Sequence, residues 1–218
     1  MEKLHSLAAS LGTPAGIYEA DVRDPAAVKA AASAFISAHG VPDVVIGNAG
    51  ISVGVLTECE EDLPVFRDVL ETNMMGLVHT FHPFVQPMRA ARHGTLVGIA
   101  SVAGFRGLPG TAAYSASKAA AIRYLEALRV EMRGSGVRVA TICPGFIATP
   151  MTERNPYPMP FILEADDAAR RFVRAIDAGK PYSVIPWQMA IVGRLLEALP
   201  NALYDRLLSG RARKPRRN

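Results

Sequence analysis

The chain has little with which to cross-link itself or hold a metal. Its 218 residues include only two cysteines. Cys59 and Cys143 stand far apart, outside any Cys-x-x-Cys spacing, so neither a disulfide framework nor a zinc site is suggested and no metal is expected. No apolar run reaches the length of a membrane span, and no early stretch joins a basic start, an apolar run and a small-residue cleavage site. A soluble protein of the reducing cytoplasm is expected. A basic face is also missing, although basic residues outnumber acidic ones by 24 to 20. Arg206, Arg211, Arg213, Lys214, Arg216 and Arg217 crowd the C-terminus with no acid after Asp205. The rest of the chain is slightly acidic, so binding of nucleic acid is not expected and residues 209–218 read as a short solvated tail.

Half of the residues are hydrophobic, enough for one well-buried domain over residues 1–208. Residues 2–11 carry Leu4, Leu7, Ala8 and Leu11 at helical spacing, and Gly12 and Pro14 end that helix before a strand-like run at 16–20. Asp24 and Pro25 make an N-cap and first-turn proline for a helix to about His39, with Gly40 as its stop. The apolar run 43–47 reads as a buried parallel strand. A helical region at 61–92, a strand near 94–100, a helix at 113–133 and a strand at 137–143 follow. After a Pro- and Met-rich loop at 150–160 come a helix near 164–178, a short strand at 182–185 and a helical stretch to about 208. Such alternation predicts an α/β fold, a doubly wound parallel sheet with helices on both faces.

One constellation carries chemistry. In Tyr114-Ser-Ala-Ser-Lys118, at the start of a helix, the four-residue spacing puts phenol and ammonium on one face. A positive charge ~4 Å away at an effective dielectric of ~20 favours the phenolate by about 4 kcal/mol, roughly 3 pKa units, which would make Tyr114 a useful acid/base near neutrality. Ser101 lies upstream at the C-terminal end of a strand, where ligands of open parallel sheets bind. Its hydroxyl there can hydrogen-bond a substrate oxygen.

These residues, with four other segments, resemble the short-chain dehydrogenase/reductase family from residue 15 to about 150. Gly47-Asn48-Ala49-Gly50 is similar to the family's Asn-Ala-Gly motif, which lies against the adenosine side of the cofactor. Asp21 matches the acidic position that contacts the adenine, and Asn73 matches the helix asparagine that completes a tetrad with Ser101, Tyr114 and Lys118 and holds a proton-relay water. Pro144, Gly145 and Thr149 resemble the loop that backs and binds the nicotinamide. The resemblance implies a Rossmann-like fold, NAD or NADP as cofactor with Tyr114 and Lys118 also touching it, a small carbonyl or alcohol as substrate, and a homo-oligomer.

The chain departs from the family at its start. The Gly-x-x-x-Gly-x-Gly turn that opens a helix against the pyrophosphate is absent, since the early glycines Gly12 and Gly16 lack the spacing. By the resemblance, a strand-helix-strand unit of roughly 30 or more residues is missing. In the strand order 3-2-1-4-5-6 its two strands would lie between the runs 16–20 and 43–47, a gap of about 14 Å at ~4.8 Å per step. The fold is therefore expected to be N-terminally incomplete, the natural polypeptide longer, and cofactor binding weak. A non-catalytic scaffold is the alternative. The choice between NAD and NADP is unreadable. His79 and His82 read as packing residues, residues 187–208 as an oligomer contact, and the 151–162 segment implies a substrate without high charge.

Overall fold

In the computed structural model, which describes residues 2–153 and 155–216, the elements follow the expected alternation. They are α1 (Glu2–Ser10), α2 (Pro25–His39), β1 (Val44–Gly47), α3 (Leu63–Leu70), α4 (Gly76–Ala91), β2 (Thr95–Ile99), α5 (Ala112–Glu131), β3 (Arg138–Pro144), β4 (Ile147–Ala148), β5 (Leu163–Glu164), α6 (Ala165–Asp177), β6 (Tyr182–Ile185), α7 (Gln188–Ala198) and α8 (Asn201–Leu208). Asp24 caps α2 as its sequence requires, its carboxylate accepting from the N–H groups of Ala26 and Ala27.

Four strands make a parallel sheet in the order β1-β2-β3-β6, with Val45 beside Leu96, Leu96 beside Val139 and Ile142 beside Ser183. Alternate strand residues feed two cores. Val45, Leu96 and Val139 pack with Leu77, Phe81, Met88, Leu125 and Leu128 of α4 and α5. On the opposite face, Val97, Ala140, Ile142 and Ile185 meet Ala175 and Ile176 of α6. Phe81 is fully buried. Phe81→Ala is expected to lower stability by about 3–5 kcal/mol, read as a fall in the urea midpoint at constant slope. An unchanged midpoint would mean that this layer does not hold the domain together.

Several expectations are corrected. Residues 16–20 form no strand and join no sheet among the described residues. A strand exists through hydrogen bonds to a neighbour, and none lies beside this run. Tyr18 instead packs edge-on against Phe35 of α2, ring centroids 6.0 Å apart, and Phe35 meets Phe84 of α4 at 6.3 Å. The expected gap is thus not held open within the sheet: α2 leans on α4. β1 is not buried on both faces, because Val44 and Ile46 are exposed and its outer edge pairs with no described strand. Leu4, Leu7 and Leu11 are exposed along the N-terminal helix and its end. The long helical region divides at a π-helical turn, Glu71–Met75, and the last one divides at Pro200. Of the two histidines, His79 bonds to the carbonyl of Val22 at 2.8 Å, whereas His82 is exposed and does not pack. Trp187, Ile191, Leu195, Leu203 and Leu207 of the last segments are exposed. No helix among the described residues is long and apolar enough to cross a membrane.

Candidate active site

The C-terminal ends of β2 and β3 and the first turns of α5 converge on one spot. β2 ends at Ile99, and Ser101 follows two residues later as the cap of a short turn, Val102–Gly104, its hydroxyl accepting from Ala103 N–H at 3.1 Å. That turn presses on the backbone of α5. A Cβ at Gly104 would stand 2.7 Å from the carbonyl carbon of Lys118, so only glycine lets the Ser101 turn and the Lys118 turn approach this closely. Ser101 and Lys118 are both buried, at 7% and 5% exposure.

Burial sets the protonation of the group. It pushes the Tyr114 phenol above its ordinary value, against the opposing effect of a hydrogen bond with Ser101. It also pulls the Lys118 ammonium down to about 8, with the neighbouring Cys143 acting the other way. The expected activation of Tyr114 by Lys118 is not what this arrangement shows. The ammonium stands 5.9 Å from the centre of the Tyr114 ring and donates to the carbonyl of Ile99 at 2.8 Å. The Tyr114 phenol is therefore protonated at neutral pH.

Asn73 lies in the π-helical turn, where an extra residue re-aims the side chain inward. It is 2% exposed, and its amide is fully engaged. The Oδ1 accepts from Ile51 N–H at 2.7 Å, while Nδ2 donates to Ile51 O and to the Ser117 hydroxyl, both at 2.9 Å. Asn73 thus ties the segment after β1 to α5. A Cβ on Gly50 would lie 3.2 Å from Asn73 Oδ1 and 3.6 Å from Lys118 Nζ, so Gly50, Asn73 and Lys118 are brought together.

The remaining expected residues are scattered around this centre. Asn48 and Ala49 are exposed at the end of β1. Asp21 is held by Arg23 at 2.7 Å, and that partner lowers its carboxyl to about 2. Pro144 ends β3 beside Ile185, and Gly145 N–H donates to Ile185 O at 2.8 Å. Thr149 lines a cavity of about 400 Å³ with Met159 and Ile162. A larger cavity, about 900 Å³, lies elsewhere between α5 and α7, lined by Arg123, Trp187 and Arg194, and holds none of the expected residues.

Three neighbours were not expected from the sequence. Ser117 is fully buried and completes the Asn73 bonds; its place within the Tyr114–Lys118 motif was the available signal. Cys143 lies beneath Ser101 and Lys118, its thiol 3.4 Å from the Tyr182 hydroxyl and raised to about 11 by burial, which leaves it protonated and inert. Tyr157, from the Pro- and Met-rich loop, is close enough to Tyr114 for their charges to interact, and no motif marks it.

The family model for short chain dehydrogenases matches residues 1–158, well over half of the chain. The chain belongs to the short-chain dehydrogenase family. An uncharacterized oxidoreductase of Myxococcus xanthus is 39% identical over 207 residues, which cover 94% of this short-chain dehydrogenase and 81% of the relative. A 3-oxoacyl-[acyl-carrier-protein] reductase of Chlamydia muridarum is 36% identical over 135 residues, 61% of this chain and 53% of that one. This short-chain dehydrogenase therefore spans about half the length of the Chlamydia enzyme. Among solved structures, a short chain dehydrogenase of Burkholderia cenocepacia in complex with NADP superposes with a TM-score of 0.74 at 27% identity, covering 88% of this chain and 77% of its own. Both the family and the α/β sheet with helices on its two faces agree with the sequence reading.

Proposed function

We propose that this short-chain dehydrogenase interconverts a small carbonyl compound and its alcohol with NAD or NADP, Tyr114 moving the proton. The observation that carries this reading is the gathering of buried Ser101 and Lys118 with half-buried Tyr114 where β2 and β3 end. The nicotinamide supplies or accepts the hydride when bound. Ser101 orients the substrate oxygen by a hydrogen bond, and Tyr114 O–H donates its proton to that oxygen in the reducing direction. The phenolate left behind gains from the Lys118 charge nearby. Asn73 keeps the walls in register through Ile51 and Ser117.

The residues present fit one end of the cofactor. Among the described residues the buried ammonium of Lys118 has Ile99 O as its only hydrogen-bond partner, which leaves donors for ribose hydroxyls beside the nicotinamide. The other end is not matched: no glycine-rich turn opens a helix at the sheet edge among the described residues to meet the pyrophosphate, and Asp21, the expected adenine contact, is occupied by Arg23. Cofactor affinity of this chain is therefore expected to be weak, with dissociation constants near 1 mM, about −4 kcal/mol. Calorimetric titration with NADH and NADPH measures it, and micromolar binding would show a phosphate site built from other residues. Loss of reduced-nicotinamide absorbance with a panel of ketones at saturating cofactor tests the activity itself. Bound cofactor with no turnover of any carbonyl would favour the non-catalytic scaffold.

A further inference from the structure

The basic C-terminal residues do not trail into solvent as their composition suggests. Residues 211–216 run back over the body of the protein and touch three separate loops. Gly54 N–H donates to Pro215 O at 2.9 Å, and Gly54 pairs with Arg216 as a parallel bridge. Arg216 then grips the turn before α3. Its Nε donates to Asp62 Oδ2 at 2.8 Å, and its Nη2 donates to Asp62 Oδ1 at 3.1 Å and to Glu61 Oε1 at 2.7 Å. Lys214 Nζ donates to the carbonyl of Met151 at 3.2 Å.

Two glycines make room for this path. A Cβ on Gly54 would stand 2.7 Å from Pro215 O, and one on Gly110 would stand 2.8 Å from Arg213 Cβ. Gly110 also holds φ +73, a conformation that side chains resist. The anchor is firm: the Asp62 side chain is 4% exposed and accepts from Leu56 N–H at 2.8 Å as well as from Arg216. A basic segment that meets a buried carboxylate and two glycines in register is a seated segment, not a loose one.

The loops it joins are those of the catalytic cleft. Val55 N–H donates to Gly110 O at 3.0 Å, and Val55 packs in one cluster with Ala113 and Tyr114. Gly110 and Thr111 lead directly into the turn of α5 that carries Tyr114. Met151 follows Thr149 in the loop that brings Tyr157 near Tyr114. We propose that residues 211–216 are a strap that walls the substrate side of the cleft, and that Arg216, through Asp62, is a positioning residue setting which carbonyl compounds reach Tyr114. This rests on the oxidoreductase reading above.

Two variants release the strap from different sides: Arg216→Ala removes the anchor, and Gly54→Val fills the place where Pro215 lies. In both, hydrogen exchange at the position-54 amide, corrected for the intrinsic rate of the residue there, is expected to rise about tenfold, with the circular dichroism of the body unchanged. Discrimination between cyclohexanone and the bulkier trans-1-decalone is expected to fall by about tenfold, KM moving more than kcat. Arg216→Lys should restore part of it. Unchanged exchange at position 54 in both variants would overturn the strap, and an equal gain for both ketones would overturn the wall and mark the segment as a simple block. If the unaltered chain reduces no ketone, the oxidoreductase reading fails, and the strap is then decided by the Gly54 exchange alone.

Discussion

Tyr114→Phe is expected to reduce carbonyl turnover by about 10²–10⁴-fold while leaving cofactor affinity and the fold unchanged, because it deletes one hydroxyl and little else. The ring keeps its place against Val55 and Ala113, so packing survives. What is lost is the hydroxyl proton that Tyr114 presents beside Ser101. Since burial raises the Tyr114 phenol above its ordinary value, the protonated donor persists through neutral pH, and the reducing rate of the unaltered protein should stay flat there and fall above about pH 8, where Lys118 loses its charge. Steady-state rates of the two proteins at saturating cofactor, with urea midpoints as the control for folding, check this. A Phe variant that turns over near the unaltered rate would falsify the role of Tyr114.

Lys118→Met has the second largest expected effect, and it acts in two directions. Activity should fall by about 10²-fold or more, with weaker cofactor binding, since the ammonium both faces Tyr114 and offers free donors. Stability near pH 7 should rise. Lys118 has its pKa lowered from 10.5 to about 8 by burial, so the folded state pays to keep the charge wherever the unfolded chain holds its proton. That penalty is complete below about 8 and disappears as pH climbs to 10.5. Removing it is worth about 3 kcal/mol, partly offset by the carbonyl of Ile99 left without its donor, for a net gain of about 1–2 kcal/mol. Urea unfolding of both proteins at neutral pH and near pH 10 measures the difference, which should shrink or reverse at the higher pH. A variant less stable than the parent at neutral pH would mean that the ammonium is a structural tie and not a strained functional group.

Much of the site was legible because its residues are bound by local geometry. The spacing of Tyr114 and Lys118 on a helix forces them to one face, and Ser101 after an apolar strand must stand at the sheet's C-terminal edge. Asn73 was legible as a motif position but not in its task, since only the π-helical turn shows that its amide spans Ile51 and Ser117. Asp21 illustrates the reverse. Its motif marks an adenine contact, yet a neighbour two residues away, Arg23, takes the carboxylate in the fold.

The order of elements, the parallel sheet and the positions of Ser101, Tyr114 and Lys118 could be read from the residues alone, because apolar periodicity and helical spacing are local and survive without their surroundings. The remainder depends on contacts between segments far apart in the chain. Residues 16–20 have strand-like composition but no strand, since a strand is a relation to a neighbouring edge. The lysine and tyrosine are tuned by burial and not chiefly by each other, because desolvation depends on everything packed around a group. The basic tail reads as a solvated run of charge until Asp62, far away in sequence, is found buried beneath Arg216. Long-range pairing of this kind leaves no period or spacing in the chain, so no pattern of residues announces it.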